Sequence, residues 1–256
     1  MIDSHCHLDS RSFDRDRKEV MAQAVEQGVD RLINIGTDMD SSRRSLHLAR
    51  DHENIFCTVG IHPHNARTLT DDFIGELREL AHFPRVVGIG EIGLDYYRDL
   101  SPRPVQRRAF LRQLDLAVEL DLPVAIHVRE AIDETTGIIA DYSRKITGVF
   151  HCFPGTVEEA ERIIDLGFHI SVNGVMTYKN SKMADLGREI PLERILIETD
   201  CPCLPPVPYR GQRNCPAYVK LVCACLAQLR GISLKEADRV TTRNTEKLFR
   251  LVETFG

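Results

Sequence analysis

Residues 122–153 read LPVAIHVREAIDETTGIIADYSRKITGVFHCF, and this stretch holds one complete strand–helix–strand unit. The apolar runs LPVAIHV and TGVFHCF are each about as long as one strand, and the amphipathic segment 129–143 between them has the length of a helix. Parallel strands need such a helical crossover. Each run also ends in a histidine, His127 in the first and His151 in the second. The stretch therefore predicts a βαβ unit that carries a histidine at the end of each strand.

The same alternation extends in both directions until it covers the chain. The eight apolar runs are MIDSHCHL at the start, RLINIG near 31, NIFCTVG near 54, RVVGIGEIG near 85, LPVAIHV near 122, TGVFHCF near 147, FHISVNG near 168 and RILIETD near 194. Helices are predicted over 14–27, 41–51, 71–81, 104–120, 129–143, 157–166, 181–188, 216–229 and 233–252.

Eight βα repeats in 256 residues match the size of a (β/α)₈ barrel, so we expect an α/β fold with a single domain over 1–256. An open doubly wound sheet is the structural alternative. The chain has no phosphate-binding glycine fingerprint, and polar residues end many of the apolar runs, so the closed barrel is favoured.

Charge, cysteine content and hydropathy narrow the class of protein. The net charge of -5 argues against a protein that coats nucleic acid through a broad basic face. The eight cysteines are scattered and several lie in apolar runs, so we expect them to be reduced, in a cytoplasmic protein. No apolar run approaches the roughly 18 residues of a membrane span, so no membrane association is expected. Nothing in the sequence indicates an obligate protein partner.

The first apolar run contains His5 and His7, whose side chains project to the same side of a strand because neighbouring residues alternate. An H-x-H pair alone is no more indicative of metal binding than of two ordinary histidines. Polar, metal-competent residues also end four later runs: Glu91, His127, His151 and Asp200. Because the carboxyl ends of barrel strands meet at one mouth, we expect all six side chains to converge there.

Four imidazoles and two carboxylates suit Zn²⁺, Mn²⁺, Co²⁺ or Fe²⁺, and Mg²⁺ less comfortably. Six ligands exceed what one open catalytic zinc site uses. Two divalent cations about 3.5–4 Å apart, bridged by one carboxylate and a water, would use all six and would lower the pKa of that water. The sequence therefore predicts a two-cation hydrolytic site.

Seven segments of the chain resemble, in order and nearly from end to end, the motif series of the TatD family of metal-dependent deoxyribonucleases: IDSHCHLD, GIHPHNA, GIGEIGLDYYR, LPVAIHVREA, HCFPG, ILIETDCP and RGQRNCP. The resemblance continues to TTRNTEKLF near the C-terminus. It implies a TIM barrel of the amidohydrolase-like kind that hydrolyses DNA phosphodiester bonds with divalent cations. An exonuclease is the form of the activity that we expect, with RNA as a possible further substrate.

The resemblance also implies a division of the ligands. His5, His7 and Asp200 would hold one cation, His127 and His151 the other, and Glu91 would bridge the two. We expect Asp200 to accept the proton of the attacking water as well. Two departures from the family pattern, Pro154 in place of a serine and Cys203 in place of an aromatic residue, bear on substrate preference.

Five further residues are candidates for holding the substrate: His62, His64, Arg129, Arg210 and Arg213. The two histidines follow the third apolar run, and Arg129 shares a strand face with His127, where its forked guanidinium suits a phosphate. The two later arginines lie in a long loop after the eighth run, where they could hold flanking phosphates or could be ordinary solvated charges.

Other polar residues receive weaker interpretations. Asp95 and Tyr96 are expected to shape the mouth, and Glu198 is expected to orient a ligand from below because it lies two residues before Asp200. We assign four histidines to the surface or to packing: His47, His52, His82 and His169.

Two other functions are compatible with parts of this pattern. A small-molecule amidohydrolase or phosphoesterase could use the same ligands, although such sites often contain a bridging lysine and no predicted strand ends in one. A nucleic-acid-binding protein without catalysis would be expected to have a lost ligand or a strongly basic surface. The complete ligand set and the negative charge favour an enzyme.

Overall fold

Eight parallel strands form the centre of the molecule in a computed structural model that describes residues 1–251. The strands follow one another around the sheet in chain order: β1 Ile2–Cys6, β2 Arg31–Ile35, β3 Ile55–Val59, β4 Val86–Asp95, β5 Val124–Arg129, β6 Gly148–Phe150, β7 His169–Val172 and β8 Ile195–Ile197. The segment after β8 closes the sheet onto β1, since the backbone N–H of Asp200 donates to the carbonyl of His5 over 2.9 Å and that of His7 donates to Cys201 over 2.9 Å. The predicted barrel is thus confirmed, and the open doubly wound sheet is excluded.

Nine α-helices in residues 1–251 cover the outside of the barrel: α1 Arg17–Glu26, α2 Met39–Asp51, α3 Asp71–Ala81, α4 Arg103–Leu120, α5 Ile132–Ala140, α6 Val157–Asp165, α7 Lys182–Glu189, α8 Val219–Arg230 and α9 Leu234–Phe249. All nine coincide with predicted segments. Their start points follow local capping chemistry. Asp38 begins α2 and Thr156 begins α6, each through a side-chain oxygen that accepts from a free backbone N–H of the first turn.

Several predicted helix boundaries differ from the structure. The first helix begins at Arg17, three residues late, because a 3₁₀ turn over Arg11–Phe13 precedes it. The segment predicted over 129–143 is shortened to α5, because β5 continues through Arg129 and places this arginine on a strand. The end of the last predicted helix, at residue 252, lies outside the described residues.

Two apolar layers fill the molecule. The layer inside the barrel contains alternate strand residues such as Ile33 and Ile35, and its lower end is closed by Leu248 and Phe249 at the end of α9 and by Leu251 just after it. The larger layer lies between the strands and the helices. Because the amino-terminal end of the barrel is plugged by apolar side chains, only the carboxyl-end mouth is open to polar chemistry.

Strand β4 is irregular, and this irregularity positions two acidic side chains. Its pairing with β5 shifts register between Ile89 and Ile92. Gly93 has φ of 140°, and a Cβ at this position would lie 2.0 Å from the carbonyl oxygen of His127. Only glycine fits this close approach of the two backbones. The strand does not end at Glu91, as the sequence suggested, but continues to Asp95, and both carboxylates reach the mouth.

No single helix in residues 1–251 is long and apolar enough to span a membrane, although the 216–230 and 234–249 segments pass that test together as a pair bent by 112°.

Candidate metal centre

Six side chains from five strands meet on the floor of the mouth, and they are the six predicted from the sequence. Three of them lie within strands: His5 in β1, Glu91 in β4 and His127 in β5. The others follow their strands by one to three residues: His7 after β1, His151 after β6 and Asp200 after β8. The chain reverses at Asp200, whose φ of 55° directs it into the loop that follows. The cluster is therefore held by the rigid part of the fold.

Glu91 lies at the centre of the cluster, and its two oxygens face different histidines. Oε1 is 2.8 Å from Nδ1 of His127 and 2.8 Å from Nε2 of His151. Oε2 is 3.5 Å from Nε2 of His5 and 3.7 Å from Nε2 of His7. Asp200 approaches the second pair, with Oδ1 3.3 Å from Nε2 of His7. Glu91 thus lies between two groups of histidines, arranged as the resemblance implied; that these groups bind cations stays a prediction.

Contacts behind the imidazoles determine which ring nitrogen faces the centre. His7 donates from Nδ1 to the carbonyl of Ile35 over 3.1 Å, which turns Nε2 toward Asp200. His127 has the opposite orientation, because its Nε2 lies 3.1 Å from Oδ2 of Asp95 and its Nδ1 faces Glu91. One ring nitrogen of each histidine therefore faces the centre of the cluster, where loss of its proton would let it bind a cation.

Glu198 lies beneath His151, and its expected role in orienting a ligand stays a prediction. It is fully buried, and Oε1 lies 3.6 Å from Nδ1 of the histidine. Its carboxylate accepts hydrogen bonds from the backbone of Cys152 and from the side chains of Ser171 and Asn173. These donors satisfy a charge that burial would otherwise make costly.

The cluster fits divalent cations by its donor types and by one orphaned side chain. His5 is 1% exposed, and neither of its ring nitrogens has a hydrogen-bond partner among residues 1–251. Leaving a buried polar group unpaired is unfavourable, and a bound cation would remove that cost. Ligand atoms of His5, His7 and Asp200 lie within 4.8 Å of one another, as do those of His62, Glu91 and His127. The residues present therefore suit two neighbouring cations.

The imidazoles also control the charge of the central carboxylates. Burial raises the pKa of Glu91, but the surrounding His151 and His62 outweigh this effect and hold the pKa well below its usual range. Burial likewise raises the pKa of Asp200, but the hydrogen bond from His7 and the nearby imidazoles outweigh burial and hold this pKa below its usual value. Both groups are ionised at neutral pH, which is the form that binds a cation.

His62 differs from the other histidines in its hydrogen bonding. Its Nδ1 accepts from the backbone N–H of His64 over 3.1 Å, so the ring proton is on Nε2, which donates to Glu91 over 3.2 Å. Burial lowers its pKa to about 4, so the ring is neutral. This arrangement makes His62 a hydrogen-bond donor to the centre. His64 lies further out, with Nε2 2.9 Å from Oδ2 of Asp95.

An open cavity of about 1010 Å³ stands above the cluster, and arginines line its rim. Arg129 is one of them, together with three that the sequence analysis did not identify: Arg11, Arg44 and Arg98. Within residues 1–251, Arg44 is paired with Asp9, whereas the other three form no ion pair. The sequence feature that could have identified Arg11 and Arg98 is their position, since each lies shortly after a strand of the barrel.

Arg210 and Arg213 do not line this cavity. The guanidinium of Arg213 forms an ion pair with Asp16 and donates to the carbonyl of Ser12. That of Arg210 stacks on Tyr178, 4.2 Å from the ring centre. Both arginines therefore contact protein groups near their own loop and not the cavity.

A closed barrel of parallel strands with histidines and carboxylates at its carboxyl-end mouth defines a class of protein, the metal-dependent barrel hydrolases. The family model described as TatD related DNase matches residues 2–250, and the chain belongs to the TatD family.

Relatives of known sequence agree with this assignment. The chain is 37% identical to the metal-dependent hydrolase YabD of Bacillus subtilis, over 98% of this chain and 99% of that protein. It is 35% identical to a protein of Cronobacter sakazakii named 3'-5' ssDNA/RNA exonuclease TatD, over 97% of both. The crystal structure of YjjV, a TatD homologue of Escherichia coli, superposes with a TM-score of 0.93 at 32% identity and 98% coverage of both chains.

Proposed function

We propose that the protein is a divalent-metal-dependent deoxyribonuclease that hydrolyses phosphodiester bonds from the end of a DNA strand, with RNA as a second substrate. One observation carries the proposal: a six-ligand cluster, suited to two cations, lies beneath a rim of arginines that have no ion pair in residues 1–251. Unpaired arginines on a protein of net charge -5 indicate recognition of an anion at this place. The family model and the exonuclease named above support a nucleic acid as that anion.

The proposed roles follow from the geometry. Bound cations would acidify a water molecule and neutralise charge on the phosphate oxygens. His5, His7 and Asp200 would hold one of them, and His127 with His151 the other. Glu91 would bridge the two sites because each of its oxygens faces one set.

Asp200 is assigned a second role in proton transfer. One oxygen, Oδ1, faces His7, and the other is the acceptor that we assign to the proton of the attacking water. Glu91 is a weaker candidate for this role, since both of its oxygens lie against imidazoles.

The substrate is held by residues above the cluster. Arg129 stands on the strand that carries His127 and would bind a non-bridging phosphate oxygen through its fork of donors. His62 would donate from Nε2 to an oxygen of the substrate. For His64, Arg210 and Arg213, contact with substrate stays a prediction.

The proposed location is a reducing compartment such as the cytoplasm, and all eight cysteines of the chain are free, which supports it.

The deciding experiment is reconstitution with defined metals. The protein is stripped of metal, Mg²⁺, Mn²⁺, Co²⁺ or Zn²⁺ is added back in turn, and end-labelled single- and double-stranded DNA is followed on a gel, with Glu91→Gln as the matched inactive control. Metal-dependent release of short products from one end is expected. Hydrolysis of small esters or amides without any cleavage of DNA or RNA would overturn the proposal in favour of a small-molecule hydrolase.

A further inference from the structure

The loop between β4 and α4 carries two exposed apolar side chains at the rim of the cavity. Tyr97 is 54% exposed and Leu100 is 57% exposed. Leu100 and the neighbouring Arg98 line the cavity itself. A single exposed apolar residue needs no explanation, but two on one short loop beside unpaired arginines are a candidate contact for a ligand.

This loop is held rigidly at both ends. Oδ1 of Asp95 accepts hydrogen bonds from the backbone N–H of Tyr97 over 3.0 Å and from that of Arg98 over 2.7 Å. Its other oxygen contacts His64 and His127, so the same carboxylate ties the loop to the cluster. At the far end the buried Ser101 donates to the carbonyl of His64 over 2.9 Å. The exposure of the tyrosine is therefore a property of a fixed loop.

Arg129 lies against the Tyr97 ring at close range, the guanidinium carbon of Arg98 lies 6.0 Å from the ring centre, and more than half of the side chain remains exposed. The guanidinium carbon of Arg129 lies 3.7 Å from the ring centre. This contact holds the guanidinium beside the ring, and because Arg129 also lines the cavity, its donors remain available for a phosphate there. The neighbouring Tyr96 is not equivalent, because its hydroxyl donates to Glu134 and Arg103 covers its ring.

We propose that Tyr97 is a stacking platform for an unpaired nucleobase beside the phosphate that Arg129 binds. The proposal deepens the nuclease function and rests on it. A flat aromatic face next to a phosphate-binding arginine reproduces the alternation of base and phosphate in a single strand. In a duplex the base faces are covered by their neighbours, so the platform requires a strand whose terminal base is unstacked.

The test removes the ring and the base separately. Dissociation constants are measured by fluorescence anisotropy, with Ca²⁺ present to suppress cleavage, for single-stranded oligonucleotides that are intact or carry one abasic nucleotide at successive positions from the end. For the parent protein, one abasic position is expected to weaken binding about 5- to 150-fold, the range that stacking of one base accounts for. Tyr97→Ala is expected to weaken binding of the intact strand by a similar factor. Its dissociation constant should not change further when that position is abasic. Tyr97→Phe is expected to behave as the parent.

Phe83 provides the matched control. It is a 38% exposed aromatic residue with Arg50 over its ring, and it lies before β4, at the opposite end of the barrel. For Phe83→Ala, the abasic nucleotide should weaken binding by the same factor as for the parent. If binding by Tyr97→Ala is also weakened by that factor, or if no abasic position weakens binding by the parent, the platform is wrong.

Cleavage of the same oligonucleotides in Mn²⁺ separates this inference from the nuclease proposal. Cleavage without coupling between Tyr97 and a base overturns the platform alone. Coupled binding without cleavage overturns the nuclease function and leaves the platform standing. Absence of any binding overturns both.

Discussion

At the scale of single residues, the orientation of Glu91 organises the centre. Its oxygens lie between two sets of imidazoles, and the rings are turned toward it by hydrogen bonds that they donate to the carbonyl of Ile35 and to Asp95 behind them. A carboxylate in such a position reduces the repulsion between two neighbouring cations. The charge of this one side chain therefore matters to both proposed sites.

Glu91→Gln is expected to weaken the binding of both cations, because a neutral amide is a poor bridging ligand and leaves less negative charge between them. Metal analysis after dialysis should find fewer than two equivalents per chain, against two for the parent. A variant that keeps two equivalents and the parental rate would show that Glu91 is not the bridge.

Asp200→Asn and Arg129→Ala should separate the reaction from substrate binding. The first change keeps the shape of the side chain but removes the base, so kcat on a single-stranded oligonucleotide should fall by about 10²- to 10⁴-fold. The second removes a phosphate contact and should raise KM and reduce the salt dependence of binding. The measurement is kcat and KM at saturating Mn²⁺. An Asp200→Asn enzyme with full metal content and a rate within a few-fold of the parent would assign the proton to another group.

At the scale of elements, the pairing of β4 with β5 places Glu91, Asp95 and His127 side by side. Glycines make this pairing possible, because the two backbones approach more closely than a side chain allows. The site therefore depends on residues that never touch a ligand.

Gly93→Ala is expected to lower the free energy of unfolding by about 3 kcal/mol or more, since the added Cβ would clash with the carbonyl of His127 and φ of 140° is strained for alanine. The matched control is Gly75→Ala in α3, where no atom lies within 4 Å of the added Cβ. That change should stabilise the protein by about 0.5–1 kcal/mol. Urea unfolding of both variants tests the pair, and equal stabilities would show that the β4–β5 approach is not tight.

His169, the first residue of β7, should contribute to the pH dependence of stability. Burial, with the nearby Arg194, lowers its pKa to about 4, below the ordinary value of 6.5. The unfolded chain therefore binds the proton more readily, so this contribution is complete above pH 6.5 and is lost as the pH falls from 6.5 to 4. The parent should lose about 2 kcal/mol more than His169→Gln between pH 7 and pH 5 in urea unfolding. An identical loss in the two proteins would contradict the assignment.

At the scale of the whole molecule, the barrel has one end closed by α9 and one end open to the ligand cluster. The six cluster residues come from five different strands, so a cation bound to them would connect distant parts of the chain. Metal binding and global stability should therefore be linked.

Divalent cations are expected to raise the melting temperature. A cation at 100 times its dissociation constant adds about 2.7 kcal/mol, which for a chain of this size is about 5–10 °C for each site. Thermal unfolding with and without a chelator measures the shift. Arg129→Ala should show the same shift as the parent, and Glu91→Gln a smaller one. A parental melting temperature that does not respond to any of the four metals would contradict binding at the cluster.

Local patterns in the sequence were sufficient for the barrel and for the convergence of the six cluster residues. Strand length, the two-residue alternation and the helical period are short-range properties, and within residues 1–251 they located all eight strands and nine helices. In a closed parallel barrel the strand ends share one mouth, so the position of a polar residue at the end of an apolar run already determines its neighbours. That these neighbours bind metal stays a prediction.

Only the tertiary structure decided the contacts between residues far apart in the chain. Arg213, expected near the substrate, pairs with Asp16, whereas Arg11 and Arg98 line the cavity. Asp95, expected only to shape the mouth, contacts the rings of two histidines and holds the loop of Tyr97. The physical reason is that an arginine or a carboxylate pairs with an oppositely charged group that lies within a few ångströms in the folded barrel. No periodic pattern along the sequence encodes that distance.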